Sequence, residues 1–112
     1  MKKDPATPDA GMEHNWILAV TSKNAAEDRV VGRRNLLAGI WAGTLLGLPE
    51  ERRSIYALEV MTAGMMGPGP DDVVDKIAHD FTDRGIPIDR GEILVQLSKI
   101  HRQVVTQRKV VR

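Results

Sequence analysis

Several residue types are missing or scarce in this chain, and each shortage excludes a class of protein. There is no cysteine, which excludes disulfides, thiolate zinc sites and thiol nucleophiles and fits a cytoplasmic protein. The aromatic residues are two tryptophans, one tyrosine and one phenylalanine. The core must therefore be built from aliphatic side chains, which suits helices better than a β-sandwich.

Long apolar runs are also missing. The longest apolar stretch, residues 36–48, is shorter than the roughly 20 residues that a membrane span needs. Lys2 and Lys3 are followed by no apolar run, and Pro5 and Pro8 interrupt the start of the chain. We therefore predict neither a secretory signal nor direct membrane insertion.

The charge balance gives no reason to expect a nucleic-acid partner. The 112-residue chain has a net charge of +1 at pH 7, so bulk electrostatics favour neither nucleic acid nor an acidic surface. Positive charges gather near the C-terminus, where a helix dipole favours cations. The aromatic interleaving typical of single-strand binders is missing.

The apolar spacing predicts one domain, an all-α four-helix bundle behind a flexible N-terminal tail. Residues 1–11 are polar and without period, and we expect them to be disordered. The bundle helices are predicted from Arg33 to Leu46, from Pro49 to about Met66, from Asp71 to Gly85, and from Asp89 onwards.

Upstream of the bundle, a helical pattern runs from Met12 to about Ala26. Asn24, the charged residues after it and Gly32 weaken this pattern, which predicts a bend or fray between them. A single long helix is the competing interpretation. The domain division is therefore a tail at 1–11, a helical arm at 12–29 and a bundle at 30–112.

Spacings of three and four predict which faces of the helices are buried. The expected core residues are Leu37, Ile40, Trp41 and Leu45 in the first helix, Ile55, Leu58, Met61 and Met65 in the second, Val74, Ile77, Ala78 and Phe81 in the third, and Ile93, Leu94, Leu97, Ile100 and Val104 in the fourth. Gly39, Gly43 and Gly47 recur every four residues, which favours close approach of a neighbouring helix, with Gly47 as the stop.

No arrangement of residues predicts catalysis or metal binding. His14, His79 and His101 lie far apart, and we expect none of them to have a partner at metal-ligand spacing. No serine, histidine and acid set resembles a triad. The loop Gly67-Pro68-Gly69-Pro70 lacks the Lys and Ser/Thr of a phosphate-binding loop. We predict no enzyme, no metal and no cofactor.

Two groups of residues are candidate contact sites. Trp16 either anchors a helix in a partner's groove or folds back into its own core. Arg33, Arg34 and Asn35 either contact an anion or nucleotide or lie along the helix and pair with nearby acids, which is the favoured interpretation. Core filling is likewise favoured over partner contact for Met65 and Met66.

In their order along the chain, the residues resemble the zeta subunit of the alphaproteobacterial F-type ATP synthase, an ATPase inhibitor, and its paralogues. The positions that carry the resemblance are Arg33, Arg34, Asn35, Leu37, Gly39, Trp41, Ala42, Leu45, Leu46, Gly47, Tyr56, Ala57, Val60, Pro68, Gly69, Asp72 and Val73. The resemblance covers roughly residues 30–108. It implies a four-helix bundle that is monomeric when free, binds the catalytic head of the synthase and blocks hydrolysis. It also implies, at most, weak binding of adenine nucleotides.

The resemblance implies that the N-terminal segment enters the catalytic head. The partner-binding residues in this chain would be Met12, Glu13, His14, Trp16, Ile17 and Val20. The dense charge alternation of the family's segment is missing here. The alternative hypothesis is therefore a paralogue that keeps the bundle, has lost inhibition and binds another partner.

Overall fold

The computed structural model describes residues 27–66 and 69–110, and within those ranges it consists of four α-helices and no β-strand. Helix α1 covers residues 27–45, α2 is Glu50–Ala63 with a 3-10 turn at Gly64–Met66, α3 is Asp71–Asp83 and α4 is Arg90–Val110. The predicted all-α bundle is confirmed. The predicted tail at 1–11 and helical pattern at 12–26 lie outside the described residues.

Helix α1 begins earlier than the sequence predicted. It is already helical at residue 27 and passes Gly32 without a break, so the predicted start at Arg33 and the fray over 27–32 are wrong. Val30 is buried in the core cluster, and this packing outweighs the low helix propensity of one glycine. The predicted boundary between arm and bundle, at 29 and 30, falls inside this helix.

Helices α1 and α3 end at glycines with left-handed backbone geometry, as predicted. Gly47 has φ +76°, its N–H donates to the Thr44 carbonyl at 3.1 Å, and the Leu48 N–H donates to the Gly43 carbonyl at 3.0 Å. This is a Schellman motif. Gly85, with φ +70°, ends α3 in the same way. Both turns satisfy carbonyls that a helix end would leave unpaired.

Helices α2 and α4 begin where the sequence predicted, except that α2 begins one residue later than expected. Pro49 is the residue before α2 rather than its first residue, and Glu50 and Glu51 occupy the first turn. At α4 the Asp89 carboxylate accepts from the Glu92 N–H at 2.8 Å, and the Glu92 carboxylate accepts from the Asp89 N–H at 3.0 Å. This reciprocal capping box confirms Asp89 as the N-cap.

The core combines one residue set from each helix. Its buried members are Val30, Ala38, Ala42, Leu46, Tyr56, Val60, Val73, Val74, Ile77, Phe81, Ile93, Leu97, Ile100 and Val104. The faces predicted for α3 and α4 are therefore confirmed, apart from Leu94, which is exposed. Trp41 is half-buried and meets Phe81 edge-on, with ring centroids 5.7 Å apart.

The face predicted for α1 is wrong in two places, because small residues rather than large ones face α2. A Cβ on Gly39 would lie 2.6 Å from the Ala57 Cα, so the two backbones are in close contact there. Ala38 and Ala42 are buried beside it, whereas Ile40 and Leu45 point outwards, Leu45 with 43 % of its surface exposed. The prediction that the glycines allow close helix approach is confirmed.

The face predicted for α2 is also wrong. Tyr56, Ala57 and Val60 are buried, whereas Leu58 and Ile55 are exposed, Ile55 at 53 %. Both sets follow helical spacing, so periodicity alone could not choose between them. Met65 is 77 % exposed, which overturns its predicted role in filling the core, and the Met66 side chain lies outside the described residues.

Candidate partner-binding surface

The predicted partner-binding residues of the arm lie before the first described residue. They are Met12, Glu13, His14, Trp16, Ile17 and Val20. Their role in contacting a partner stays a prediction, and so do both interpretations of Trp16. Helix α1 does show where this arm joins the bundle, because it is continuous from residue 27 and is anchored by buried Val30.

The predicted anion-contact residues do not form one surface. Arg33 is exposed, whereas Arg34 and Asn35 are buried, and the Arg34 Nε donates to the Asn35 Oδ1 at 3.0 Å. Burial lowers the pKa of the Arg34 guanidinium. Among the ion pairs of the described residues, none joins Arg33 or Arg34 to an acid of α1 or α2.

Asn35 has a packing role at the junction of α1, α2 and α3. A Cβ on Gly64 would overlap the Asn35 amide and lie 2.8 Å from a Val73 methyl group. Glycine at the end of α2 therefore leaves the space that the Asn35 side chain occupies. Nucleotide contact by Arg33, Arg34 and Asn35 stays a prediction. The two arginines lie in different environments, because Arg33 is exposed and Arg34 is buried.

The residues that sequence reasoning missed form a polar cluster between α2 and α3. The Tyr56 hydroxyl donates to the Asp80 Oδ2 at 2.7 Å, and the Lys76 ammonium donates to the same oxygen at 3.0 Å. Lys76 also lies 3.8 Å from the Glu59 carboxylate and 5.1 Å from the centre of the Tyr56 ring. The four side chains therefore hold the two helices in register through charge-assisted bonds and a cation–π contact.

One signal for this cluster was present in the sequence. Lys76 and Asp80 are four residues apart in a predicted helix, a spacing that favours an ion pair. The bond from Tyr56 to Asp80 spans 24 residues and depends on how α2 and α3 align, which no local pattern specifies.

The environment of Tyr56 raises the pKa of its phenol, because burial disfavours the charged form and the Asp80 carboxylate both bonds to the hydroxyl and repels a phenolate. Folding therefore favours the protonated phenol. This contribution to stability is fully present below the ordinary tyrosine pKa of about 10, and it is lost as the pH rises above that value towards the pKa of the folded state.

We therefore expect the native protein to lose stability above about pH 10 more steeply than a Tyr56→Phe variant, as measured by urea unfolding across an alkaline pH series. Tyr56 is the only tyrosine of the sequence, so absorbance near 295 nm reports its ionisation directly. A folded native protein in which Tyr56 titrates at its ordinary pKa would contradict this arrangement.

An open groove lies next to the cluster, with a volume of about 530 Å³. Its apolar wall includes Leu46, Leu48 and Ile55, and its rim carries Arg52 and Arg84. The Arg84 guanidinium donates to the Leu46 carbonyl at 2.9 Å, which fixes one rim to the end of α1. The lining offers positive charges from Arg52, Arg84 and Lys76 and negative charges from Glu59, Asp80 and Asp83.

Helix α3 carries one group that the sequence reading overlooked. The His79 Nε2 lies 3.3 Å from the Asp83 Oδ2, and the ligand atoms of His79, Asp80 and Asp83 all lie within 4.8 Å of one another. The statement that no histidine has a partner at ligand spacing is therefore wrong. His79 and Asp83 are exposed and the Asp80 Oδ2 already accepts two bonds, so the group is a surface contact between His79 and Asp83.

Across the described ranges, no helix combines the length and apolarity that a membrane span needs.

Comparison with protein families gives a match over most of the chain. A family model described as ATPase inhibitor subunit zeta matches residues 20–107, a range that includes α2 and α3 entirely and nearly all of α4. The same range includes Asn35, Gly39, Tyr56 and Asp80. No curated protein and no solved structure matches the chain significantly.

Proposed function

Since the chain belongs to the ATPase inhibitor subunit zeta family, we propose that it is a non-catalytic regulatory protein that binds the catalytic head of the F-type ATP synthase and inhibits ATP hydrolysis. The observation that carries this proposal is the family match over residues 20–107. The proposed partner places this function in the cytoplasm.

The bundle supports the proposal because it anchors the helix that follows the N-terminal segment. Helix α1 passes from residue 27 through buried Val30 into the core. A segment that precedes residue 27 is therefore attached to an anchored helix. We propose that the bundle docks on the catalytic head while Trp16, Ile17 and Val20 enter it.

The experiment is a titration of isolated F-type catalytic head with the full chain, read as the rate of ATP hydrolysis. A Trp16→Ala variant is expected to need about ten-fold more protein for half inhibition, since large aromatics dominate interface energetics. Val95→Ala is the matched control, because Val95 is an exposed apolar residue of α4. Equal potency of the Trp16 variant and the native chain would contradict the role of this segment.

A second candidate function is a paralogue that keeps the bundle without the inhibition. It is favoured by one observation: the family match begins at residue 20, after five of the six proposed partner-binding residues. Replacing residues 12–29 with a charged segment of the family type separates the two candidates. Inhibition gained only by that chimera would mean that the bundle docks and that the native arm does not inhibit.

A further inference from the structure

A second cavity, of about 330 Å³, lies between α4, the start of α3 and Arg34 of α1. Its polar lining comes from Arg34, Ser98, His101 and Arg102, and no Asp or Glu lines it. The cavity is thus positive, in a protein whose total charge is close to neutral. A concave site of one sign concentrates ions of the opposite sign.

Arg34 is the central group of this cavity. It retains only 9 % of its exposed surface, and its Nε is occupied by the Asn35 Oδ1 at 3.0 Å. Buried charges in proteins are usually paired with an opposite charge. None of the ion pairs among the described residues includes Arg34, and Arg34 lines the cavity.

His101 also contributes to the lining of the cavity. Its Nδ1 is buried and has no hydrogen-bond partner among the described residues. Residues of two helices, Arg34 of α1 and His101 and Arg102 of α4, therefore line one cavity whose lining contains no acid.

The rest of the lining is apolar and comes from Leu94, Leu97 and Pro70. Leu94 is exposed at the mouth of the cavity, whereas Leu97 is buried. A free inorganic ion gains nothing from such walls. A carboxylate on an aliphatic stem can place its oxygens on the guanidinium fork and its methylenes on the leucines.

We propose that the cavity formed by Arg34, His101 and Leu94 binds a glutamate or aspartate side chain presented by a partner protein. The site belongs to the bundle and not to the N-terminal arm. Binding in this cavity can be measured without any ATPase. The proposal about the cavity can therefore be confirmed or overturned independently of the proposed inhibition.

The test is an NMR titration of the isotopically labelled full chain with the capped dipeptide N-acetyl-Leu-Glu-amide at constant ionic strength. We expect saturable shifts at the Arg34 Nε–H and at Ser98 and His101. The glutamine counterpart, N-acetyl-Leu-Gln-amide, is expected to cause none, because it lacks the charge. Absence of saturable shifts with the glutamate peptide, or equal shifts with both peptides, would overturn the proposal.

Variants locate the site. Arg34→Gln is expected to raise the dissociation constant about ten-fold, as charge-assisted bonds are roughly twice as strong as neutral ones. Arg102→Gln, at an exposed position, is expected to raise it several-fold without disturbing the fold. Arg33→Gln is the matched control, because it removes the same charge from the neighbouring exposed residue.

The outcome for Arg33→Gln separates a site from general attraction. Unchanged binding in this control supports the cavity, whereas weakening equal to that of Arg102→Gln would overturn it. Inorganic phosphate is the last ligand in the titration series. Phosphate that binds at the same residues as tightly as the glutamate peptide would contradict the requirement for an apolar stem.

Discussion

A Phe81→Ala variant is expected to lose about 3–5 kcal/mol of unfolding free energy, the usual cost of removing a large aromatic from a core. Phe81 is fully buried, at 0 % exposure, and its ring meets Trp41 edge-on at 5.7 Å between centroids. The ring lies where α1 and α3 meet. The loss is measured by urea unfolding followed by far-UV circular dichroism, since the fluorescence of Trp41 changes with the variant itself.

Leu45→Ala is the control for this prediction. The sequence pattern placed Leu45 in the core, but 43 % of its surface is exposed. We expect its truncation to cost less than about 1 kcal/mol, as for surface substitutions. A cost for Leu45→Ala that approaches the cost for Phe81→Ala would contradict the orientation of α1.

A Gly39→Ala variant is expected to destabilise the bundle by about 1–3 kcal/mol, the cost of overpacking a tight interface. The added Cβ would lie 2.6 Å from the Ala57 Cα and 3.1 Å from the Val60 Cβ. The first of these is a backbone atom that cannot rotate away. Relief therefore requires α1 and α2 to separate, and the same unfolding measurement reports it.

Gly32→Ala is the matched control in the same helix. A Cβ at Gly32 would meet nothing within 4 Å. Alanine is a better helix former than glycine, so this variant is expected to gain about 0.5–1 kcal/mol. A loss of unfolding free energy for Gly39→Ala together with a gain for Gly32→Ala would establish that contact with α2, and not helix propensity, decides the effect at Gly39. Equal gains at both would rule out the close approach.

The sequence predicted α3 and α4 well because most of their large apolar residues fall on one face, with Leu94 and Val95 as the exposed exceptions. Val74, Ile77 and Phe81 are buried, as their spacing indicated. The expectation that large apolar residues mark the buried face failed in α1 and α2, because the size of a side chain there does not correlate with its burial. Small residues at Gly39 and Ala57 bring the two helices together, which leaves the larger Ile55 outside.

The candidate site was harder to predict than the fold. The pairing of Tyr56 with Asp80 depends on the alignment of two helices, and the space that Gly64 leaves for Asn35 depends on three. Neither relation is local in sequence. Resemblance to a family pointed to Asn35 and Tyr56 as notable positions, but only the structure assigns them to packing and to the polar cluster.

We propose that this chain inhibits the F-type ATPase, and the rate of ATP hydrolysis by the isolated catalytic head, measured with increasing amounts of the 112-residue chain, tests this proposal. We expect the rate to fall in a saturable way and the chain to co-purify with the head. An unchanged rate at large molar excess, together with no co-purification, would contradict the claim.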